Sequence, residues 1–84
     1  MKYAYLTASG NIVSALKKVT VYKLILGGPT AVGSAQLMTG GTGGTSKFIA
    51  HYPISETVDV CIPGIVADYV NITGTTPSVI VGYM

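Results

Sequence analysis

Arginine and tryptophan are missing from these 84 residues, cysteine and histidine occur once each, and only three side chains are acidic. Each shortage excludes something. Without arginine there is no donor for the bidentate contacts to phosphate and guanine on which nucleic-acid binders rely. Of the five lysines, only Lys17 and Lys18 are adjacent, so no nucleic-acid partner is expected. A lone Cys61 closes no internal disulfide. His51, with Glu56 and Asp59 nearby, lacks the second histidine or cysteine pair of a metal site. His51 alternates with Phe48 and Ala50 and is expected half-buried and hydrogen-bonded. Cys61, between Val60 and Ile62, is expected to be a small buried hydrophobe.

Catalytic frames are equally scarce. The tract from Gly40 to Lys47 has glycines like a phosphate-cradling loop, but Ser46 precedes Lys47 and a strand follows, so the order is wrong. No serine or cysteine is framed by glycines as in a nucleophile elbow. The chain is therefore expected not to be an enzyme and to need no cofactor or metal. The longest apolar stretch, 19–26, is interrupted by Lys23 and is too short for a membrane-spanning helix. Met1 and Lys2 lead into Tyr3, Ala4 and Tyr5 with no apolar signal-peptide core, which predicts a mature start and no membrane partner. Without a secretion signal, the glycosylation sequon Asn71-Ile-Thr is read as chance.

What is abundant is apolar surface: hydrophobic residues make up 49% of the chain and charged residues 10%, against roughly 25% charged in ordinary soluble domains. A chain this short makes one domain, 1–84, with a radius of gyration of about 12 Å. Such a domain buries only roughly 60–65% of its unfolded surface, so its own core leaves it marginal. Self-association is the remaining source of burial, and much of the exterior is expected to be covered by protein.

Eleven glycines and four prolines punctuate the sequence, and no helical period emerges. Strands are expected at roughly 3–8, 11–16, 19–27, 34–39, 47–52, 57–62, 65–72 and 78–83. Ser9-Gly-Asn and Lys17-Lys suit hairpins, Pro63-Gly suits a type II turn, and longer loops are expected at 27–33 and 40–45. Gly40, Gly41, Gly43 and Gly44 bring maximal backbone entropy and predict a flexible loop. Alternation puts Tyr22, Leu24 and Leu26 on one face and Val19, Val21, Lys23 and Ile25 on the other. It likewise sets Ile65, Ala67 and Tyr69 opposite Val66, Asp68, Val70 and Ile72. Both faces are largely apolar, so the outer faces are expected to be contacts, with Val66, Val70, Ile72 and Tyr83 as candidate oligomer contacts. The fold class that follows is all-β: a compact antiparallel β-sandwich, jelly-roll-like, of about eight short strands, with an up-and-down barrel as the alternative.

Six tyrosines, at 3, 5, 22, 52, 69 and 83, carry an apolar body and a polar tip suited to core edges and interfaces. Tyr3, Tyr5 and Leu6 lie in a short N-terminal arm, 1–6, expected to reach a neighbour, because termini of small domains are ordered when tied down. They are the candidate partner contacts.

Two stretches carry a resemblance. Leu6-Thr-Ala-Ser-Gly-Asn-Ile-Val, together with Pro63-Gly-Ile-Val-Ala-Asp-Tyr-Val-Asn-Ile-Thr-Gly and the closing Val79-Ile-Val-Gly-Tyr, resembles the layout of small all-β virion proteins of tailed bacteriophages. The middle, Gln36-Leu-Met-Thr, departs from the leucine, aromatic, aspartate pattern of that group. The resemblance implies a capsid decoration or cement protein on the outer surface of the virion, made in the host cytoplasm. It implies a homotrimer that bridges and stabilises major capsid protein subunits. A head-fibre or tail-fibre module binding a host receptor or glycan, with Tyr52 or Tyr69 as stacking residues, is the alternative.

Overall fold

A computed structural model describes residues 1–27, 33–52, 57–74 and 78–84. Eight strands account for most of them: β1 (Lys2–Leu6), β2 (Gly10–Asn11), β3 (Val19–Gly27), β4 (Gly33–Thr39), β5 (Thr45–Tyr52), β6 (Val58–Ala67), β7 (Tyr69–Thr73) and β8 (Ser78–Tyr83). β3 and β8 fall where the valine- and isoleucine-rich runs predict them, because β-branched side chains pack well on a pleated surface. No helix occurs among the described residues. The radius of gyration, 11.4 Å, agrees with the value expected for this length.

The strands form an all-β antiparallel sandwich of two four-stranded sheets, ordered β1-β8-β3-β6 and β2-β7-β4-β5. We call them sheets A and B. Pairing is nested: β1 with β8, β2 with β7, β3 with β6 and β4 with β5. This nesting is compatible with a jelly-roll layout. Its consequence is that β4 to β5 is the single connection that stays within a sheet. The hairpins expected at Ser9-Gly-Asn and at Lys17-Lys are therefore crossings between sheets. At the first, the Ser9 hydroxyl accepts a 2.8 Å bond from Ile72 N and ties the corner to β7. At the second, Leu16 takes a positive φ of 59°, and the strand expected over 11–16 shrinks to β2.

The predicted turn at Pro63-Gly is also corrected, since β6 runs straight through it and the chain breaks at Asp68 instead. β6 lies at the edge of sheet A, where proline forfeits no ladder bond. Gly64 has φ +111°, and a Cβ there would meet the Tyr22 ring at 3.2 Å. Opposite it, the register of β3 with both neighbours shifts between Val21 and Lys23. Tyr22 is thus a bulge residue, and a bulge inverts the alternation that follows. Val21, Leu24 and Leu26 consequently share the buried face, and the expected grouping of Tyr22 with Leu24 does not hold.

Inside the sandwich, sheet A presents the cross-strand rows Leu6, Val79, Leu26, Val58 and Ala4, Val81, Leu24, Val60. Sheet B answers with Ala35, Leu37, Phe48, Ala50, Val70 and Ile72. Full burial of a valine or leucine side chain contributes roughly 1.5–3 kcal/mol, so these rows are the main source of stability. Among the described residues, every buried side-chain nitrogen or oxygen has a hydrogen-bond partner.

Candidate docking surface

The residues between the buried ones point away from the core, and on sheet A they make an unusual exterior. One cross-strand row reads Tyr5, Ile80, Ile25, Asp59, and the next reads Tyr3, Gly82, Lys23, Cys61. A third joins Met84, whose backbone exchanges 3.0 and 3.2 Å bonds with Thr20, to Val66 across β6. Met1 lies over the gap left by Gly82, where a Cβ would meet its sulfur at 2.7 Å and Tyr3 Cε1 at 3.2 Å. Tyr3 (59%), Tyr5 (66%), Val66 (47%), Met1 (57%) and Met84 (71%) are all exposed, with Ile25 and Ile80 half-buried between them.

Among the described residues, one ion pair interrupts this apolar surface. Lys23 Nζ lies 3.2 Å from Asp59 Oδ2, with both side chains partly in water. The hydrogen bond and the charge of Asp59 raise the Lys23 pKa above its ordinary value. The pair neutralises itself, so the face carries apolar and aromatic contact area with little net charge.

Sheet B has a mixed exterior. Its outward positions carry Ser34, Gln36, Asn71 and Thr73, linked by bonds from Asn71 Nδ2 to Gln36 Oε1 (3.4 Å) and between the Ser34 and Thr73 hydroxyls (3.0 Å), beside exposed Ile49 opposite Gln36 and the paired Met38 and Tyr69. Amide and hydroxyl groups bond to one another along this face, with apolar side chains between them.

Where sheet A hands over to sheet B, Asp68 is completely buried. Its Oδ2 and Oδ1 accept 2.8 Å bonds from the backbone N–H groups of Gly40 and Gly41. Its own N–H donates to Met38 O, and its carbonyl accepts from Ile12 N. Gly40 and Gly41, with φ of +98° and +72°, turn their amides toward that carboxylate, a conformation that favours glycine. The glycine tract expected to be a flexible loop is therefore anchored at Gly40 and Gly41. It closes with a bond from Gly44 N to Gly41 O, and Gly43 is its open tip.

The candidate contacts divide accordingly. Tyr3, Tyr5 and Val66 lie together on the apolar face. Leu6 points inward and packs against the core, and so do Ile72 and Tyr83, both half-buried. Val70 is fully buried, because the break at Asp68 carries it into sheet B and reverses the side on which it was placed. None of these four offers an outward contact. The N-terminal arm is strand β1 of its own sheet rather than a free extension. His51 is exposed rather than half-buried, and Cys61 is exposed rather than buried. Glu56, the interior of the 27–33 loop and the Tyr52 side chain lie outside the described residues. Among the described residues, no group of three histidine, cysteine or acidic side chains could hold a metal, and no helix is long and apolar enough to cross a membrane.

Met1, Ile80, Met84 and the Lys23–Asp59 pair were missed in the sequence, since their meeting depends on strands far apart in the chain. Ile25 was legible beside Lys23 through the alternation within β3. No family model, curated protein or solved structure matches the chain.

Proposed function

We propose that this protein is a non-catalytic virion component, a capsid decoration protein that lays the outer face of sheet A against the major capsid protein. The observation that carries this reading is the outer face of sheet A, where Tyr3, Tyr5, Val66, Met1 and Met84 are exposed around Ile25 and Ile80, while the outer face of sheet B mixes Ile49 with amide and hydroxyl groups. An exposed apolar patch on a small domain marks a surface that another protein covers, and tyrosine and methionine are enriched at such contacts. The mechanism is burial: a standard contact of about 800 Å² per partner, spanning neighbouring capsid subunits, resists their separation. The phage setting rests on the resemblance of the terminal segments.

Binding to capsids stripped of their native decoration tests the reading. Wild-type chain is expected to saturate the shell, and Val66→Asp, which puts a charge in the contact far from β1, is expected to reduce occupancy at least tenfold. Equal occupancy by the two proteins, or immunogold label confined to a tail or fibre tip, would overturn it.

A further inference from the structure

A four-stranded sheet has two edges, and the unpaired backbone groups along an edge accept another strand unless something blunts them. Three of the four edges here are blunted. β2 has two residues. β5 carries an extra residue, Lys47, where its register with β4 slips between Leu37 and Met38. β6 sets Ile62, Pro63 and Gly64 against the single Tyr22. β1 alone is regular: Lys2 to Leu6 pair with Tyr83 to Val79 without a shift, and among the described residues no strand borders its other edge.

We propose that the free edge of β1 is a self-association site, which takes β1 of a second copy antiparallel about a two-fold axis through Ala4. The occupant follows from the sequence of the strand. Centred on Ala4, the pairing sets Tyr3 opposite Tyr5 of the second copy, and Tyr5 opposite its Tyr3. All four rings lie on the apolar face, and aromatic cross-strand pairs stabilise antiparallel sheets. Lys2 falls opposite Leu6 of the second copy, so the two lysines do not meet. A one-residue slip would pair Tyr3 with Ala4 and turn the outer face of one copy to the core side of the other. Such an interface is isologous, each copy giving the same patch, and it forms by β-strand addition.

The product is one continuous eight-stranded sheet, β6-β3-β8-β1 joined to its mirror order, with both apolar faces on the same side. The dimer therefore doubles the surface described above, whatever that surface binds. The three-fold association expected from the resemblance finds no counterpart in this edge, because two β1 strands satisfy one another.

Light scattering on the purified chain tests the proposal, with two double variants that report the register. Wild type is expected at twice the 8.6 kDa chain mass. Y3E/Y5E gathers four carboxylates at the joint and is expected at the single-chain mass, with an unchanged far-ultraviolet circular dichroism spectrum. Y3K/Y5E places each lysine opposite a glutamate of the second copy and is expected to return to the doubled mass. A wild type that is monomeric or trimeric, a Y3E/Y5E variant that stays dimeric, or a Y3K/Y5E variant that stays monomeric would overturn it. The capsid test with Val66→Asp on β6 is read separately, so either result stands without the other.

Discussion

Replacing Asp68 probes the joint between the two sheets most directly. Its carboxylate is fully buried and receives the N–H groups of Gly40 and Gly41 at 2.8 Å. A hydrogen bond to a charged group contributes about 1.5–3 kcal/mol net. The two donors are not equal. Gly40 is exposed and Gly41 is buried, so water can replace the partner of the first but not of the second. In Asp68→Ala the stranded Gly41 amide therefore dominates, at about 1–3 kcal/mol, with the lost bond to Gly40 adding about 1 more. Release of the carboxylate from its buried site and the cavity left by its removal act in opposite directions, so the expected loss is about 2–4 kcal/mol. Asp68→Asn keeps the shape and one acceptor, which can serve Gly41, so its loss should be about 1–2 kcal/mol. An 84-residue domain has a total stability of roughly 4–13 kcal/mol, so the alanine variant gives up a large share. Urea unfolding reads the difference: with a slope of about 1 kcal/mol/M, the midpoint should fall by about 2–4 M for alanine and half that for asparagine, at constant slope. A loss under about 0.5 kcal/mol for Asp68→Ala, or asparagine costing more than alanine, would refute the reasoning.

Three further outcomes follow from the same geometry. Val70→Asp buries a charge without a partner and should abolish the folded state, whereas Val66→Asp should leave the unfolding midpoint within about 0.5 M of wild type in urea. Equal effects of the two would contradict the placement of these residues on different sides. Gly44→Ala drives a Cβ into the Thr39 backbone, while Gly43→Ala meets nothing within 4 Å and strains only φ. The first should lower the thermal midpoint well beyond the second, whose cost is about 1 kcal/mol. Because Lys23 gains a partner on folding, its raised pKa means that the pair stabilises the fold fully below the ordinary lysine value of 10.5. That contribution is lost as pH rises through the raised value. An NMR titration of the Lys23 side chain should show its midpoint fall in Asp59→Asn, and an unmoved midpoint would remove Asp59 as the cause.

Much of the fold is local information and could be read ahead. The run 19–27 and the run 78–83 are strands because their valines and isoleucines favour extended backbone and their neighbours are turn formers, facts contained within each segment. The low charge likewise sets up an expectation of covered surface without saying where. The candidate site was legible in part for the same reason. Tyr3 and Tyr5 share a face because a strand has period two, and Val66 was placed outward for that reason as well.

What the segments could not disclose is where period two restarts. Tyr22 adds one residue to β3 relative to β8 and stands against three residues of β6, and the face of every position after it depends on that irregularity, which is visible only against those partners. Pro63-Gly has the chemistry of a turn, yet it lies at an edge where proline costs no bond, and so the strand continues. Asp68 sits in an apolar run as one acid among valines. It becomes the corner because Gly40 and Gly41, far away in the chain, bring it two amides. From this break onward Val70 and Ile72 belong to the other sheet and turn inward. The sequence by itself determined the class of structure and the shortage of charge, since propensity and composition act residue by residue. Tertiary structure decided which face stays open and which edge stays free, because bulges, crossings and edges are properties of pairs of strands.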